Sequence, residues 1–510
     1  LLHGNAFLGW FTALVDDQTR LSDPVVVALD IGSSSVRAIA FDIAGKPLFD
    51  SQIKYTQRTS HNGGVEIDAE ELLSHTVVCI IGLLRKAGAA RKRFVGVGIS
   101  CFWHSLLGVG ANGKASTPVY SWADTRAAIE VPKLREIFND ELYHHKTGCE
   151  LHPCFWPAKL LWLRSTQPDL VNKVTIWMGY GEYLIHRLFG VHQSSLSMAS
   201  GTGLFNQQNA GWDQDILDSL QLDPRTLSDL HDQGPLKGIT SEFKEKLGPL
   251  SGLPWFPAVG DGACSNIGSG AYDDRRLALN VGTSAALRLV TAAPVGENLT
   301  ITKGLFCYRV DSENVVYGGA FANGGNVYAW LKHQFQWGDD ADFSKAVARI
   351  KPDGHGLTVL PFWAGERSPG WHSTARAAVL GMNLHSTSAD IVRASLESCA
   401  YTFDDVRLKL IERFPHAEEI IISGGGIASD PLFAQIVCDI FGVPLKTNGV
   451  AEATSLGAAF LAFRDLKIIK KWSDIKYPRA RTYRPNLKNH DAYAAGLSRF
   501  QDYYHRLVES

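Results

Sequence analysis

Apolar positions along the chain follow two alternating rhythms. PVVVALDIG is a continuous run rich in valine; RAIAFD follows, then KPLFDSQIKY beyond the turn Ala44-Gly45, which predicts a meander of three strands. EELLSHTVVCIIGLLRKAG spaces its apolar residues along one face of a helix, and FVGVGIS predicts another buried strand. Strands and helices alternating in this way predict an α/β fold.

The pattern restarts in the second half. LALNVGTSAALRLV, from Leu277, repeats the shape of VALDIGSSSVRAIA. Leu29, Asp30, Ile31, Gly32, Ser33 and Ser34 match Leu279, Asn280, Val281, Gly282, Thr283 and Ser284 in order. Each copy opens one half of the chain, so the simplest organisation is two related domains, each presenting a hairpin to a shared cleft. YGGAFANGGNVYAWL reads as a glycine-rich turn entering a helix, and EEIIISGGGIASDPLFAQIVCDIFG as strand, three glycines and helix. EATSLGAAFLAF is a helix of small residues suited to close packing. The boundary is placed near Gly270, giving an N-terminal domain over 23–270 and a C-terminal domain over 271–510. Residues 1–22 are apolar, but they lack the basic start and cleavage site of a signal peptide and are too interrupted to span a bilayer. They are expected to form an appendage, either a loose helix or disordered. The tail KYPRARTYRPN is basic and turn-rich, ahead of a last helix expected to pack back on the body.

A chain of 510 residues is too long for one core, in keeping with two domains. Its formal net charge of −2 argues against a nucleic-acid binder and gives no sign of a membrane partner. Oligomeric state is left open, a homodimer included. The eight cysteines are scattered without a CxxC, which fits buried thiols in a reducing, cytoplasmic compartment. In CELHPC, Cys149, His152 and Cys154 lack the second ligand pair of a zinc site.

Three groups of residues carry chemistry. In LDIGSSSVR, Gly32 lets a phosphate approach, Ser33 and Ser34 with the turn's N–H groups form a concave anion site, Asp30 can hold a magnesium ion, and Arg37 can neutralise charge on a transferred phosphate. A plain hairpin with a surface arginine has the same pattern; pairing with Gly282 and Thr283 tips the balance, since a triphosphate needs donors from both sides. In GDGACSNIG, Asp261 ends an apolar run between two glycines, placed either to accept a proton from a substrate hydroxyl or to cap the following helix. The sequence alone favours the cap. In ISCFWHSL and YSWADTRA, Asp124 and Arg126 are two apart, so on an extended segment they face one side. Such a pair suits a polyol, with Trp103 and Trp122 as apolar walls, or it is a salt bridge beside core tryptophans. SGGGIASDP is not a Rossmann fingerprint, because Ser429 stands where the third glycine belongs, and no Walker sequence occurs.

In this order, these segments resemble the FGGY family of carbohydrate kinases, from about Pro24 to the last helix, with AVLGMNLHSTSADIVRASLE similar to the family's second signature. The resemblance implies the two-domain actin/hexokinase/Hsp70-like (ribonuclease H-like) fold, closing over ATP and sugar. Within the family, FWHSLLGVGANGKASTPVYSWADTRA, TGCELHPCFWPAKLLWL, SMASGTGLFN and LPFWAGERSPGW are most similar to gluconate kinases. By that resemblance Asp261 falls on the catalytic base, which overturns the cap reading. Asp30, Gly32, Ser33, Ser34 and Arg37 fall on the first phosphate loop, and Gly282 and Thr283 on the second. Gly325, Gly424, Gly425 and Ser429 fall on nucleotide-contacting positions, and Trp103, His104, Asp124 and Arg126 on the sugar segment. GSSS replaces the commoner GTTS, and Arg37 stands where many relatives carry lysine; hydroxyl and charge are both kept. WHS in place of Met-His-Ser, and the bulky Cys154-Phe155-Trp156, change the pocket wall and so bear on which sugar fits. The resemblance thus implies an ATP- and Mg2+-dependent sugar kinase acting on a terminal hydroxyl, with gluconate first, a pentulose such as xylulose second, and a non-catalytic ATP-binding sensor as the alternative of another class.

Overall fold

The computed structural model describes residues 23–231, 234–336, 341–477 and 481–509, so the appendage expected over 1–22 lies outside the described residues. Two mixed sheets share one plan. The first holds β1 (Val25–Ile31), β2 (Ser35–Asp42), β3 (Pro47–Lys54), β4 (Phe94–Cys101) and β5 (Trp255–Gly260), in the order β5-β4-β1-β2-β3. The β1-β2-β3 meander is antiparallel, whereas β1, β4 and β5 run parallel. Every residue of β1 and β4 is buried, as expected of central strands covered on both faces.

The second sheet holds β6 (Arg276–Val281), β7 (Ala285–Ala292), β8 (Phe306–Arg309), β9 (Asn314–Phe321), β10 (Glu419–Ser423), β11 (Leu445–Thr447) and β12 (Thr482–Tyr483), ordered β8-β9-β7-β6-β10-β11-β12. Its middle five strands repeat the first plan: β6-β7-β9 is antiparallel, and β6, β10 and β11 are parallel. The sequence echo is therefore a duplicated topological unit. The copies differ at the turn. Ile31 faces Val36 across the first hairpin, but Val281 faces Ala285 across the second, which is one residue tighter. Asp30 consequently stands opposite Arg37, whereas Asn280 stands opposite Ala286.

Helix α1 (Ala69–Ala87) begins at Asp68, whose carboxylate accepts the N–H groups of Glu70 and Glu71, and it packs on β2 and β3. It is the one described helix long and apolar enough to cross a membrane, and 50% of its most apolar window is buried within the protein. The helices that follow β5 and β11 take equivalent places in the two copies: α2 (Asp261–Ser269) and α5 (Ala453–Asp465), with α3 (Gly325–Phe335) and α4 (Ser388–Arg413) between them in the chain. α2 and α5 cross with their backbones in contact. A Cβ on Gly268 would lie 1.8 Å from the Ala453 carbonyl oxygen, and one on Gly457 1.8 Å from that of Cys264. α5 also lies on β1 and β4, where a Cβ on Gly98 would meet the Ala458 carbonyl oxygen at 2.3 Å. Leu456, Phe460 and Phe463 thus join the apolar core of the first sheet, although they come from the far end of the chain. The last long helix, α6 (Leu487–Tyr504), inserts Tyr493 and Phe500 into the second core.

Candidate active site

The chemistry-bearing residues sit at the carboxyl ends of the parallel strands, where α/β sheets bind ligands. In the first hairpin the turn is tied back by its own sheet. The Tyr55 hydroxyl donates to the Gly32 carbonyl at 2.5 Å, Gln57 Nε2 to that of Ser33 at 2.7 Å, and the Tyr55 N–H to that of Ser34 at 3.0 Å. Three successive carbonyls are thereby held by protein donors, as an anion-binding turn requires. Asp30, at the end of β1, is only 3% exposed. Arg37 Nη1 approaches its Oδ2 at 3.3 Å, and Ser455 Oγ, from α5, donates to the same oxygen at 3.4 Å. Burial pushes the Asp30 carboxyl up to about 6 against the pull of Arg37, with the Asp261 and Glu452 charges adding to the rise.

Asp261 is the first residue of α2, and the cap position belongs to Gly260. Its Oδ1 accepts the Gly262 N–H at 2.8 Å. Burial raises its carboxyl above the ordinary value, opposed by the guanidinium of Arg288 and, less strongly, that of Arg367. The flanking glycines make this crowding possible. A Cβ on Gly260 would lie 1.8 Å from the Trp103 ring, and one on Gly262 2.7 Å from the same ring and 2.9 Å from Arg288 Nε. Gly260→Ala should therefore cost about 1–3 kcal/mol by overpacking, read as a lowered denaturation midpoint; an unchanged midpoint would show that the indole gives way freely.

Trp103 is 4% exposed and donates Nε1–H to the Ser197 carbonyl at 2.8 Å. It supports Asp261 from below rather than offering an open face. His104 adopts a left-handed backbone, φ 66°, and its Nδ1 lies 2.6 Å from the Gly201 carbonyl oxygen; burial holds the ring well below its usual range, hence neutral. Beneath it, Lys159 donates to the carbonyls of His104 and Cys154 at 2.7 and 2.8 Å, and burial pushes its amine down to about 8.

Asp124 and Arg126 are differently placed from an extended pair. A turn at 122–123 leads into a short 3-10 helix at Arg126–Glu130, and the two side chains close on each other, Arg126 Nη2 to Asp124 Oδ2 at 2.5 Å. Arg126 also reaches Glu66 at 2.6 Å and lies over the Trp162 ring at 4.5 Å, while Asp124 takes the Val65 N–H at 3.0 Å. Two arginines that sequence reasoning did not single out stand nearer the base. Arg288 projects from β7, and Arg367 lies between the rings of Trp122 and Trp371, 5.5 Å from each centroid. A lone arginine in the apolar strand LALNVGTSAALRLV was the available signal.

The second hairpin gathers the glycine-rich segments. The N–H groups of Gly325 and Asn326, at the start of α3, donate to the carbonyls of Gly282 and Thr283 at 2.9 and 3.0 Å. Gly424 has φ 88°, and a Cβ there would meet the Val281 carbonyl oxygen at 2.4 Å. A Cβ on Gly425 would find open space, and Ser429 Oγ donates to the Gly425 carbonyl. Gly282, Thr283, Gly325, Gly424, Gly425 and Ser429 are thus brought together at the ends of β6 and β10. The two halves meet through α5, whose Ser455 contacts Asp30 and whose cap residue Glu452 contacts Arg37, and through Arg288 beside Asp261. All eight cysteines are free and buried.

Comparison with known proteins adds the following. Residues 25–268 match the N-terminal domain of the FGGY family of carbohydrate kinases, and residues 277–466 its C-terminal domain. The chain is 27% identical to a gluconokinase of Bacillus subtilis (strain 168) over 90% of its own length and 91% of the relative's. It is 28% identical to a xylulose kinase of Staphylococcus epidermidis (strain ATCC 12228 / FDA PCI 1200), covering 94% and 96%, and 30% identical to a glycerol kinase of Aromatoleum aromaticum, covering 86% and 89%. Among solved structures, a gluconate kinase and a ligand-bound xylulose kinase, both from Lactobacillus acidophilus, each superpose with a TM-score of 0.87 at 27% identity, over 96% of this chain and 99% of theirs.

Proposed function

The chain belongs to the FGGY family of carbohydrate kinases, and from that premise we propose that it transfers the γ-phosphoryl group of ATP to the terminal hydroxyl of D-gluconate, giving 6-phosphogluconate. Phosphorylation of a sugar with ATP and a divalent metal ion is the family's activity; the acceptor and the residue roles are our reading. Residues 23–270 supply the acceptor wall, the first phosphate turn and the base, and residues 271–510 the nucleotide side, with α5 crossing between them.

In this reading Asp261 takes the hydroxyl proton as the oxygen attacks phosphorus. The turns at Gly32–Ser34 and Gly282–Thr283 hold the phosphates, Arg37 offsets charge on them, and Gly325, Gly424, Gly425 and Ser429 face the nucleotide. The oxygens of Asp30 and Ser455 are of the type Mg2+ prefers, and a cation there would take the place that the Arg37 guanidinium holds against Asp30 Oδ2 and draw the carboxyl back to its ionised form. Magnesium bound there supplies charge neutralisation on the phosphates. Trp103 and His104 shape the acceptor wall, and the closed Asp124–Arg126 pair stiffens it.

The observation that carries the acceptor assignment is the charge around Asp261: Arg288 and Arg367 both act on its carboxylate, and Lys159 adds to the positive charge around Arg367. A sugar acid balances that charge and a neutral ketose does not. A pentulose remains the second reading, favoured by the equal superposition of the ligand-bound xylulose kinase. An ADP-release assay with D-gluconate, D-xylulose, glycerol and other sugars separates them. Gluconate should give the highest kcat/KM; a higher value for D-xylulose replaces the first reading by the second, and ATP binding without ADP release for any acceptor favours the sensor.

A further inference from the structure

Three side chains around the acceptor pocket carry buried polar atoms without hydrogen-bond partners: the half-buried Arg288 at Nε and Nη1, the half-buried Arg367 at Nε, and the buried Tyr308 at its hydroxyl. They are neighbours. The Tyr308 ring meets Trp103 edge-on at 5.1 Å and His104 at 5.4 Å, and Asp261, Arg367 and Tyr308 are the groups close enough to act on Arg288. The chain makes room for this cluster at the expense of side chains elsewhere. A Cβ on Gly318 would lie 2.9 Å from Arg288 Cγ, and a Cβ on Gly262 2.9 Å from its Nε. Burial, reinforced by Arg367, pushes the Arg288 guanidinium down to about 10 against the pull of Asp261. Guanidinium N–H groups buried without acceptors, as at Arg288 Nε and Nη1, are a standing cost to the fold. Asp261 does not relieve it through a hydrogen bond, since the bond recorded for its carboxylate is the one from the Gly262 N–H.

We propose that Arg288 is a specificity-determining residue that receives the carboxylate of a sugar-acid acceptor, with Arg367 and the Tyr308 hydroxyl completing the anion site. The inference rests on the sugar-acid reading above. Two sources could supply the anion, the acceptor's carboxylate or the phosphoryl group in transfer, and position favours the first. Arg288 is four residues beyond Ser284, on the order of 13 Å along the strand from the second phosphate turn, and its guanidinium is also turned toward Asp261, so the test must separate the two sources. Its surroundings are the aromatic wall of the acceptor pocket, with Trp103 and Tyr308, rather than the glycine-rich segments that meet at Gly282. Its fork geometry matches the two oxygens of a carboxylate.

The test compares wild type with Arg288→Met, which keeps the stem, using D-gluconate and D-glucitol, the same carbon chain with a hydroxymethyl group for the carboxylate. Because Arg288 also holds down the carboxyl of Asp261, Arg288→Met should slow both acceptors near neutral pH, but it should lower kcat/KM for gluconate by about 100-fold more than for glucitol, so the preference for the acid collapses. Arg288→Lys should fall between and provides the comparison should the methionine variant not fold. Equal losses on both acceptors, accompanied by an equal loss of acceptor-independent ATP hydrolysis, would assign Arg288 to the phosphoryl group and overturn the proposal; unchanged gluconate turnover would also overturn it. Failure of the underlying reading is visible in the wild type before any variant is made, as a preference for D-xylulose over every sugar acid. A wild-type preference for another aldonate, lost in Arg288→Met, would displace gluconate and uphold the anion site.

Discussion

Asp261→Asn is expected to lower kcat by about 1,000-fold, within the 10²–10⁴-fold typical of a lost general base, while ATP affinity stays within about twofold. The amide is nearly isosteric and can still accept the Gly262 N–H, so the start of α2 and the packing of Trp103 should survive. What disappears is a group able to take the hydroxyl proton. The sign of the pH dependence follows from burial. The carboxyl of Asp261 is raised above its ordinary value, so the folded state holds its proton to higher pH than the unfolded chain does. Activity that needs the ionised form must therefore rise with pH through an apparent pKa above the usual carboxylate range. The same linkage makes ionisation a cost to folding that grows as pH climbs through that pKa, and the asparagine variant escapes it. Asp261→Asn should thus be at least as stable as wild type at pH 8, with a flat activity profile at its low residual level. Single-turnover ADP release, nucleotide titration and denaturation midpoints measure the three quantities. Wild-type turnover in the variant would remove Asp261 from the mechanism.

Local patterns carried much of this organisation. The run Leu29–Ser34 and its echo at Leu279–Ser284 announced two hairpins, because a buried strand followed by glycine and hydroxyl residues is a short-range signal. The glycines at 424–425 and 325 were legible for the same reason, and the close approach of Gly424 to the Val281 carbonyl and of Gly325 to that of Gly282 leaves no room for a side chain at those two positions. Partners distant in the chain were not legible. Asp124 and Arg126 present the same spacing whether they face a ligand or each other, and only the turn at 122–123 and the position of Glu66, far away in sequence, decide for the closed pair. Arg288 and Arg367 were passed over because an arginine within an apolar strand, or in a loop, marks an oddity but not which distant groups it will face or whether its donors will be left unmatched. The small residues of EATSLGAAFLAF did predict close packing, but not that the helix would enter the core of the opposite half.

That crossing is where a single methyl group should have a large effect. Gly457→Ala places a Cβ 1.8 Å from the Cys264 carbonyl oxygen and 2.6 Å from its carbon, both backbone atoms of a buried helix that no rotamer change can move aside. Helix propensity alone would make alanine more stable than glycine by about 1 kcal/mol in the interior of α5. A net loss, which overpacking sets at about 1–3 kcal/mol or somewhat more, therefore has the opposite sign to the local effect and reports the crossing itself. The consequence for turnover comes from what the two helices carry. α2 begins at Asp261, and α5 brings Ser455 to Asp30 and follows Glu452 beside Arg37, so parting them shifts the proposed base relative to the first phosphate turn. A displacement near 1 Å at a reacting centre costs about 100-fold in rate. Gly457→Ala should accordingly lose both stability and kcat, whereas Gly425→Ala, whose Cβ meets open space, should keep its denaturation midpoint. If Gly457→Ala gained stability and kept full turnover, the helices would be free to separate, and the coupling of base to phosphate turn through their backbones could not be how this cleft is held in register.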